Sequence, residues 1–304
     1  MAVAKVAYFP GCSLEGFGKS YDESAKFTAR ALGVELATID DYSCCGAIEA
    51  KRADELSSYL LPARNLALAK KHMNADSLVT PCNGCHYTMR RATTEMKKRP
   101  TLVEDVNQLL GEAGEPAYDG KSDVRHFLEY LFNEHGPDAV KAKVKRPLKG
   151  LKVVTYYGCL YVRPKIYSAA GKDARHDNPE YPVFMDELLR AAGAEVVEWD
   201  GKTDCCGGGH ALGDEDNSLK LSASVLEQAR QAGADVLTTN CPLCGAALDV
   251  RYNDLKSRFG DSIQMPVTYF TQLLGLAFGG SAKDVGLGLQ YSGASEALKK
   301  RGVV

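Results

Sequence analysis

The sequence has no excess of either charge and no long apolar run. Its 37 Lys and Arg residues are balanced by 39 Asp and Glu residues, which gives a formal net charge of −2. General nucleic-acid binding depends on a strong basic excess, so we expect no nucleic-acid partner. No stretch approaches the roughly 20 consecutive apolar residues that a membrane-spanning helix requires, so we expect no direct membrane insertion.

The amino terminus also lacks the charged segment followed by a long apolar segment that is typical of export signals. We therefore expect a cytoplasmic protein, in a compartment where thiols stay reduced and structural disulfides are rare. With 45% apolar and 25% charged residues, the composition is that of a globular protein. The 304 residues suffice for two domains, each with its own core.

What the sequence does contain is ten cysteines, all of which fall into two copies of one pattern. Each copy is a single Cys, then Cys-Cys-Gly, then Cys-x-x-Cys. The first copy consists of Cys12, Cys44, Cys45, Cys82 and Cys85, and the second of Cys159, Cys205, Cys206, Cys241 and Cys244. In a reducing compartment such a set indicates metal or redox chemistry.

Each copy holds one cysteine more than common metal sites need. A single zinc ion takes about four ligands, and an ordinary Cys-ligated iron–sulfur cube also takes about four. Five sulfurs therefore leave two alternatives, a cube with a spare reactive thiol or a cluster of unusual geometry with a bridging thiolate. A zinc-stapled interaction module is a third, non-redox alternative.

The two halves of the chain match beyond their cysteines, which predicts gene duplication and two domains, residues 1–146 and 147–304. The aligned segments include Val6–Cys12 with Val153–Cys159 and Ala75–Cys82 with Ala234–Cys241. The second copy has 45 residues between its first two cysteine elements, against 31 in the first copy. We place this insertion in the polar stretch Pro164–Tyr181.

Within each half, short β-branched runs alternate with longer helical patterns. The expected strands are Lys5–Phe9, Val34–Ile39, Ser77–Thr80, Val153–Tyr157, Glu195–Trp199 and Asp235–Thr239, and the expected helices are Tyr21–Leu32, Leu56–His72, Val183–Ala192 and Leu219–Ala232. Each Cys-x-x-Cys element is expected to begin a helix. This alternation favours an α/β fold with mostly parallel sheets. Sites in such sheets gather at the carboxyl ends of the strands, where the five sulfurs of each half can converge.

The spacing Cys-x31-Cys-Cys-x36-Cys-x-x-Cys of the first half resembles the cysteine-rich CCG domain of the B-type subunits of heterodisulfide reductases. Gly158–Pro164, Lys202–Gly207 and Ala234–Gly245 add to a resemblance that covers about the whole chain. It implies two duplicated Rossmann-like CCG domains related by a pseudo-two-fold axis, each holding a noncubane 4Fe–4S cluster. By position, the five cysteines of the first copy would bind one cluster and the five of the second copy the other.

The resemblance also implies a function. In that family the two clusters face one cavity in which a disulfide is cleaved, so we expect the iron–sulfur catalytic subunit of a heterodisulfide-reductase-like complex, an oxidoreductase that cleaves or forms a disulfide or sulfane bond. Electrons would come from a flavin-containing A-type subunit and a ferredoxin-like C-type subunit. We favour a bacterial sulfur-oxidising complex with a lipoate-binding protein as substrate carrier. The alternative is an electron-transfer subunit of a succinate- or lactate-type dehydrogenase that passes electrons toward a quinone.

Two histidines lie beside the cysteine motifs. His86 follows Cys85 directly, and His210 follows Gly207–Gly209. Imidazole titrates near neutral pH, so either side chain could donate a proton to a departing thiolate. A structural or hydrogen-bonding role beside the cluster is the alternative for both. His86 and His210 are therefore the candidate catalytic residues.

Overall fold

The computed structural model describes residues 4–47, 49–171 and 175–304, and it contains two four-stranded sheets. Within the described residues, every strand pair of these sheets is parallel. The first sheet consists of β1 (Ala4–Tyr8), β2 (Val34–Thr38), β3 (Ser77–Thr80) and β4 (Asp123–His126) in the order β2-β1-β3-β4, and the second of β5 (Lys152–Tyr156), β6 (Glu195–Val196), β7 (Val236–Thr239) and β8 (Val267–Tyr269) in the order β6-β5-β7-β8. The prediction of an α/β fold with duplicated parallel sheets is confirmed.

Helices connect successive strands in both halves, as parallel strands require. In the first half they are α1 (Lys19–Ala31), α2 (Glu49–Ala53), α3 (Ser57–Met73), α4 (Asn83–Lys98), α5 (Pro100–Glu112), α6 (Phe127–Glu134) and α7 (Gly136–Lys143). In the second half they are α8 (Cys159–Val162), α9 (Phe184–Ala191), α10 (Glu215–Gln231), α11 (Pro242–Gly245), α12 (Tyr252–Phe259), α13 (Phe270–Ala277) and α14 (Ala294–Lys300). Among the described residues, no helix has the length and apolar content needed to cross a bilayer.

Both Cys-x-x-Cys elements begin helices, as predicted, but the two helices differ. α4 continues regularly for 16 residues, whereas α11 passes after four residues into a π-helical turn over Ala246–Val250. Such turns occur frequently at functional sites. The sequence pattern contains no sign of this difference, because both elements have the same cysteine spacing.

The strand expected over Glu195–Trp199 is wrong beyond Val196. β6 pairs with β5 only through Glu195 and Val196. The chain then turns away, and the indole Nε1 of Trp199 donates a hydrogen bond to the carbonyl oxygen of Thr155 at 2.9 Å. A buried indole N–H needs an acceptor, so this bond places the Trp199 ring against the sheet and ends the strand.

A pseudo-two-fold axis relates the two halves. α1 packs against α13, and their equivalents α9 and α6 pack against each other in the same way. Likewise α4 contacts α8, and α11 contacts the 3₁₀ turn Cys12–Glu15. Each half therefore places its Cys-x-x-Cys helix against the turn that carries the first cysteine of the other half.

The interior is continuous between the halves. One cluster of buried apolar residues joins Leu66 of the first half to Leu226 of the second, and another joins Phe127 to Leu273. The two halves therefore share a continuous buried interior. Duplicated faces that pack against each other bury more apolar surface than either half could cover alone.

The predicted insertion Pro164–Tyr181 lies against the first half of the chain. The hydroxyl of Tyr167 donates to Glu95 Oε1 at 2.7 Å, and Asn133 Nδ2 donates to the carbonyl oxygen of Arg175 at 2.7 Å. His176 Nε2 lies 3.9 Å from a carboxylate oxygen of Glu129. Residues 172–174 of the insertion lie outside the described residues. The described part connects the two halves on the side of α4 and α6.

Candidate metal–thiolate centres

The cysteines follow the carboxyl ends of the strands, as the sequence predicts. β1 leads to Cys12, β3 to Cys82, β5 to Cys159 and β7 to Cys241. All ten cysteines are free thiols. Their burial repeats in the two halves: Cys45, Cys82, Cys85, Cys206, Cys241 and Cys244 are buried, Cys12 and Cys44 are exposed, and Cys159 and Cys205 are partly exposed.

The five thiols of the first half form one connected group. The Sγ atoms of Cys44 and Cys12 lie 3.7 Å apart, and those of Cys45 and Cys85 lie 3.4 Å apart. Cys44 also interacts with Cys45, and Cys82 with Cys85, as the effects of these neighbours on their pKa values indicate. All five thiols that the sequence assigns to the first site therefore converge on one region at the sheet edge.

The five thiols of the second half line one cavity. Cys159 interacts with Cys205, and Cys244 interacts with both Cys206 and Cys241. In the described residues, no three His, Cys, Asp or Glu side chains are arranged around a point that would hold one metal ion.

The two thiol sets are neighbours where the halves pack together. Cys241 of the second set is the main cause that raises the pKa of Cys82 of the first, and both side chains are buried. Next to this pair, Asn83 Nδ2 donates to the carbonyl oxygen of Tyr157 at 2.7 Å across the interface of the halves. The sequence shows two equivalent sets, but only the packing of the halves makes them neighbours.

Contact between thiols shifts the pKa values within each outer pair in opposite directions. The interaction with Cys159 lowers the pKa of Cys205 to about 6, and the interaction with Cys12 holds the pKa of Cys44 far below its usual range. The same interactions raise the pKa values of Cys159 and Cys12. Because the thiolate is the form that binds metals, each outer pair supplies one sulfur already suited to ligation.

Backbone groups support these sulfurs. The N–H of Gly46 donates to Cys44 Sγ and the N–H of Gly207 donates to Cys205 Sγ, each at 3.4 Å. Hydrogen bonds to cysteine sulfurs are a means by which proteins tune iron–sulfur clusters.

Two glycines leave space beside the buried sulfurs. Gly11 and Gly158 have φ angles of +72° and +71°, which L side chains rarely adopt. A Cβ atom at Gly11 would lie 2.9 Å from Cys85 Sγ, and one at Gly158 would lie 2.9 Å from Cys244 Sγ. Sequence reasoning missed this role, although the repeated Gly-Cys pair was a visible signal. Five converging thiols, backbone donors and this clearance fit an iron–sulfur cluster in each half.

A cavity of about 220 Å³ opens onto the second thiol set. Its lining includes Cys159, Cys205, Cys206, Cys241 and Cys244, together with Arg52, Asn83, Gly84, Leu243 and His210. An adjoining cavity of about 520 Å³, lined mainly by apolar groups, shares Arg52 and Leu243 with it. Arg52 lies outside the duplicated cysteine pattern, so sequence reasoning did not identify it.

The two candidate histidines lie in different surroundings. His210 lines the cavity, and its charge contributes to the lowered pKa of Cys205. His86 is 1% exposed, and its Nε2 lies 4.0 Å from a carboxylate oxygen of Glu129. Burial holds the pKa of His86 well below its usual value and raises the pKa of Glu129 to about 7. The structure thus places His210 beside the thiols and His86 in a buried group behind α4.

The sequence profile of the CCG cysteine-rich domain matches residues 6–90 and 153–249, which together make up more than half of the chain. This chain belongs to the CCG cysteine-rich domain family. The two matched regions contain the two thiol sets, so each half is one CCG region. The resemblance noted from the cysteine spacing is confirmed.

Curated relatives of this CCG protein match over nearly their whole length. The membrane anchor subunit of the 8-methylmenaquinol:fumarate reductase of Wolinella succinogenes is 34% identical over 281 residues, 92% of this chain and 94% of that protein. The B-type subunit of the ferredoxin:CoB-CoM heterodisulfide reductase of Methanosarcina mazei is 33% identical over 286 residues, 93% of this chain and 92% of that protein. The similarity to this heterodisulfide reductase subunit therefore spans both CCG regions.

Among solved structures, a hypothetical protein from Helicobacter pylori matches with a TM-score of 0.74 at 16% identity. The match covers 95% of this chain and 52% of that one, so the CCG protein spans about half the length of the solved chain. This likeness shows the fold alone.

Proposed function

We propose that this protein is the iron–sulfur catalytic subunit of a heterodisulfide-reductase-like complex, in which a disulfide or sulfane bond is cleaved or formed. The observation that carries the proposal is that two five-thiol sets are neighbours, coupled through Cys82 and Cys241, and that the cavity of the second set is also lined by Asn83 and Gly84 of the first half. A substrate with two linked sulfurs needs two neighbouring sites, one for each sulfur. The similarity to the heterodisulfide reductase subunit of Methanosarcina mazei over most of the chain supports the same function.

Each thiol set is proposed to hold one noncubane 4Fe–4S cluster, with all five cysteines of each set as ligands. The bound clusters would supply one-electron redox chemistry and iron that binds substrate sulfur. The partners proposed are a flavin-containing A-type subunit and a ferredoxin-like C-type subunit, which supply or remove the electrons.

His210 is the residue best placed to handle the proton. Cleavage of a disulfide consumes two electrons and two protons and yields two thiols, so a proton donor beside the leaving thiolate accelerates it. His210 lines the cavity together with Cys205. His86 does not line this cavity, although it follows Cys85 directly in the chain. We expect His210→Gln to slow disulfide reduction about tenfold or more. His72→Gln, at a histidine that does not line the cavity, is the control.

The apolar cavity supports a substrate carried on an aliphatic arm, such as lipoate bound to a carrier protein. Phe17, Leu212 and Leu243 line it and remain 46%, 95% and 37% exposed. Such a groove shelters methylene groups while the sulfurs reach the thiol sets. If a lipoyl arm is the substrate, a lipoylated peptide will react faster than a short hydroxylated disulfide, and Leu212→Asp will remove most of that difference. Equal rates for both substrates would contradict the proposal that the substrate is carried on a lipoyl arm.

Metal analysis separates a redox subunit from a zinc-binding module. After anaerobic purification, we expect about eight iron and eight sulfide per chain from two four-iron clusters. Two zinc ions without iron would refute the proposal. Replacing Cys45 or Cys206 with Ser should each disturb the cluster of one half and leave that of the other.

Electron paramagnetic resonance tests the disulfide chemistry itself. The reduced protein, mixed with a disulfide substrate, should develop a new paramagnetic signal that depends on substrate concentration. A signal that is the same with and without substrate would favour a simple electron relay.

A second candidate function is supported by the relative from Wolinella succinogenes, whose name places it in a quinol:fumarate reductase. In this alternative the protein passes electrons between a dehydrogenase or reductase subunit and a quinone, as in a succinate- or lactate-type complex. It predicts that the reduced protein is oxidised by a menaquinone analogue in the presence of its partner subunits and is indifferent to disulfides.

A further inference from the structure

A separate cavity of about 390 Å³ lies on the first half, where the insertion packs against it. Its walls include Lys51 of α2, Tyr59 of α3 and Arg91 of α4, and Tyr167 of the insertion closes one side. None of its lining residues is a cysteine, so the cavity is distinct from the metal–thiolate centres.

Arg91 carries a buried charge without a counter-charge. Arg91 is only 5% exposed to solvent. In the described structure the guanidinium donates hydrogen bonds only through Nη2, to the carbonyl and hydroxyl oxygens of Ser58. No described carboxylate lies within ion-pair distance of Arg91, although a buried cation is expensive unless an anion neutralises it. Nε and Nη1 therefore remain available to a ligand.

A second guanidinium lies beside the same aromatic ring. The Cζ atoms of Arg91 and Arg99 lie 4.4 Å and 5.4 Å from the ring centre of Tyr59. Arg99 Nη2 also donates to the Tyr59 hydroxyl at 2.8 Å, which fixes its position. Tyr59 thus holds two planar cations close together at one cavity, with the ammonium of Lys51 as a third.

The two carboxylates of the cavity leave a positive balance. Glu95 accepts hydrogen bonds from Tyr167 and Lys98, and its second oxygen lies 4.0 Å from Arg99 Nη2. These contacts lower its pKa, so its charge is already compensated. Glu55 is exposed, and its nearest partner is the Tyr59 hydroxyl at 3.4 Å. With three cations against two carboxylates, the cavity suits an anion.

We propose that this cavity binds a phosphate group, either free phosphate or the phosphate end of a small organic molecule. The guanidinium fork matches the oxygens of phosphate in geometry and charge, better than an ammonium does. The 390 Å³ volume leaves room for an organic part beside Tyr87 and Tyr167, whose rings lie edge to face at 5.8 Å. The proposal does not depend on the proposed redox function.

The short helix α2 contributes to this cavity and to the cavity of the second thiol set. Lys51 lines this cavity, and its neighbour Arg52 on the same short helix lines the cavity of the second thiol set. α2 itself follows closely after Cys44 and Cys45. A ligand bound at Lys51 would therefore contact a residue that is adjacent in the chain to Arg52, which lines the cavity of the second thiol set.

Calorimetric titration of the full chain, with its clusters intact and at constant ionic strength, tests the site. The probes are inorganic phosphate and adenosine monophosphate. We expect saturable binding of at least one probe, a loss of affinity of tenfold or more in Arg91→Gln, and a smaller loss in Arg99→Gln. Lys97→Gln is the matched control, because Lys97 is an exposed cation on the same helix that does not line the cavity.

The two probes distinguish the sources of the phosphate. Tighter binding of the nucleotide indicates an organic phosphate, and equal binding indicates free phosphate. If neither probe binds saturably, or if both arginine variants bind as tightly as the unmodified chain, the proposal is overturned. Circular dichroism shows whether Arg91→Gln folds, and if it does not, the exposed Arg99→Gln decides the outcome.

Discussion

At the scale of single residues, the thiol sets depend on neighbours that do not touch a metal themselves. Gly11 and Gly158 occupy equivalent positions, each directly before the first cysteine of its set. Both have a positive φ, and both face a buried sulfur at a distance that excludes a methyl group. The clearance beside Cys85 and Cys244 is thus a property of the glycines.

Gly11→Ala should empty the first site without unfolding the chain. The added methyl would lie 2.9 Å from Cys85 Sγ, so we expect iron and sulfide content to fall by about half, on the proposal of one cluster per half. The control is Gly150→Ala, where φ is +76° but nothing lies within 4 Å of the added Cβ. It should lose only the stability that left-handed backbone costs, roughly 1–2 kcal/mol, and keep its iron. Full iron content in Gly11→Ala would contradict the steric argument.

Glu129 makes stability depend on pH. It lies between His86 and His176, and burial raises its pKa from 4.5 to about 7 despite the opposing charges of Arg90 and Arg125. Its contribution to stability is complete below pH 4.5 and is lost as pH rises to about 7, because the unfolded chain releases the proton first.

Glu129→Gln cannot ionise, so it should gain stability relative to the unmodified chain between pH 5 and pH 8, by at most about 3 kcal/mol. Denaturation midpoints of both proteins at the two pH values measure this gain. Glu134→Gln, at a more exposed carboxylate paired with Arg125, is the control for replacing a glutamate on the same helix. A difference between Glu129→Gln and the unmodified chain that stays constant with pH would show that Glu129 does not titrate in this range.

At the scale of helices and strands, the interface between the halves consists of helix pairs in which each helix comes from a different half. α1 lies on α13, and on this contact the ring of Tyr21 stacks on that of Tyr269, with centroids 4.4 Å apart and planes 3° from parallel. The hydroxyl of Tyr21 donates a hydrogen bond at 2.9 Å to the carbonyl oxygen of Asn240, the residue directly before Cys241. Helix α1 of the first half thus helps to position the loop that carries Cys241 of the second half.

Tyr21→Phe should lower the free energy of unfolding by about 1–3 kcal/mol, because it leaves the buried carbonyl of Asn240 without a donor. The stacked ring remains in place, so the loss measures the hydrogen bond. Urea titration followed by circular dichroism gives the value. Tyr42→Phe removes a hydroxyl that donates to the exposed Glu15 and should change stability by no more than about 0.5 kcal/mol. Equal effects of the two substitutions would argue against a special role for the Tyr21 bond.

At the scale of the whole molecule, the duplicated halves share one buried interior. Both clusters of buried apolar residues contain side chains from both halves, and the insertion adds polar contacts between them. Splitting the chain would expose the apolar faces of α1 and α13 as well as the Cys82–Cys241 contact.

Residues 1–146 and 147–304, produced separately, should therefore fail to form stable monomers, and their co-production should restore a folded complex. Size-exclusion chromatography and thermal melting of each half and of the mixture measure this. An independent, cooperative unfolding transition in each half alone would show that the predicted domains fold on their own. The full-length chain under the same conditions is the reference.

The local chemistry was readable in the sequence because it depends on residue type and spacing. Ten cysteines in two equal patterns, β-branched runs and Gly-Cys turns predict two parallel sheets with thiols at their carboxyl edges, and these features depend on contacts close in the chain. The prediction that the strand continues past Val196 was wrong because the indole of Trp199 donates its hydrogen bond to Thr155 of β5, which is distant in the sequence. The π turn after Gly245 likewise has no local signal.

Only the tertiary structure decided how the two thiol sets relate. The contact of Cys82 with Cys241, the choice of His210 over His86 for the cavity, and the approach of Arg52 to the second set all arise where one half packs on the other. Such long-range contacts follow from the joint burial of two duplicated faces, and a repeated pattern in one chain does not reveal which faces will meet. The sequence by itself therefore determined the thiols and their number, and the packing of the halves determined how the two sets lie beside each other.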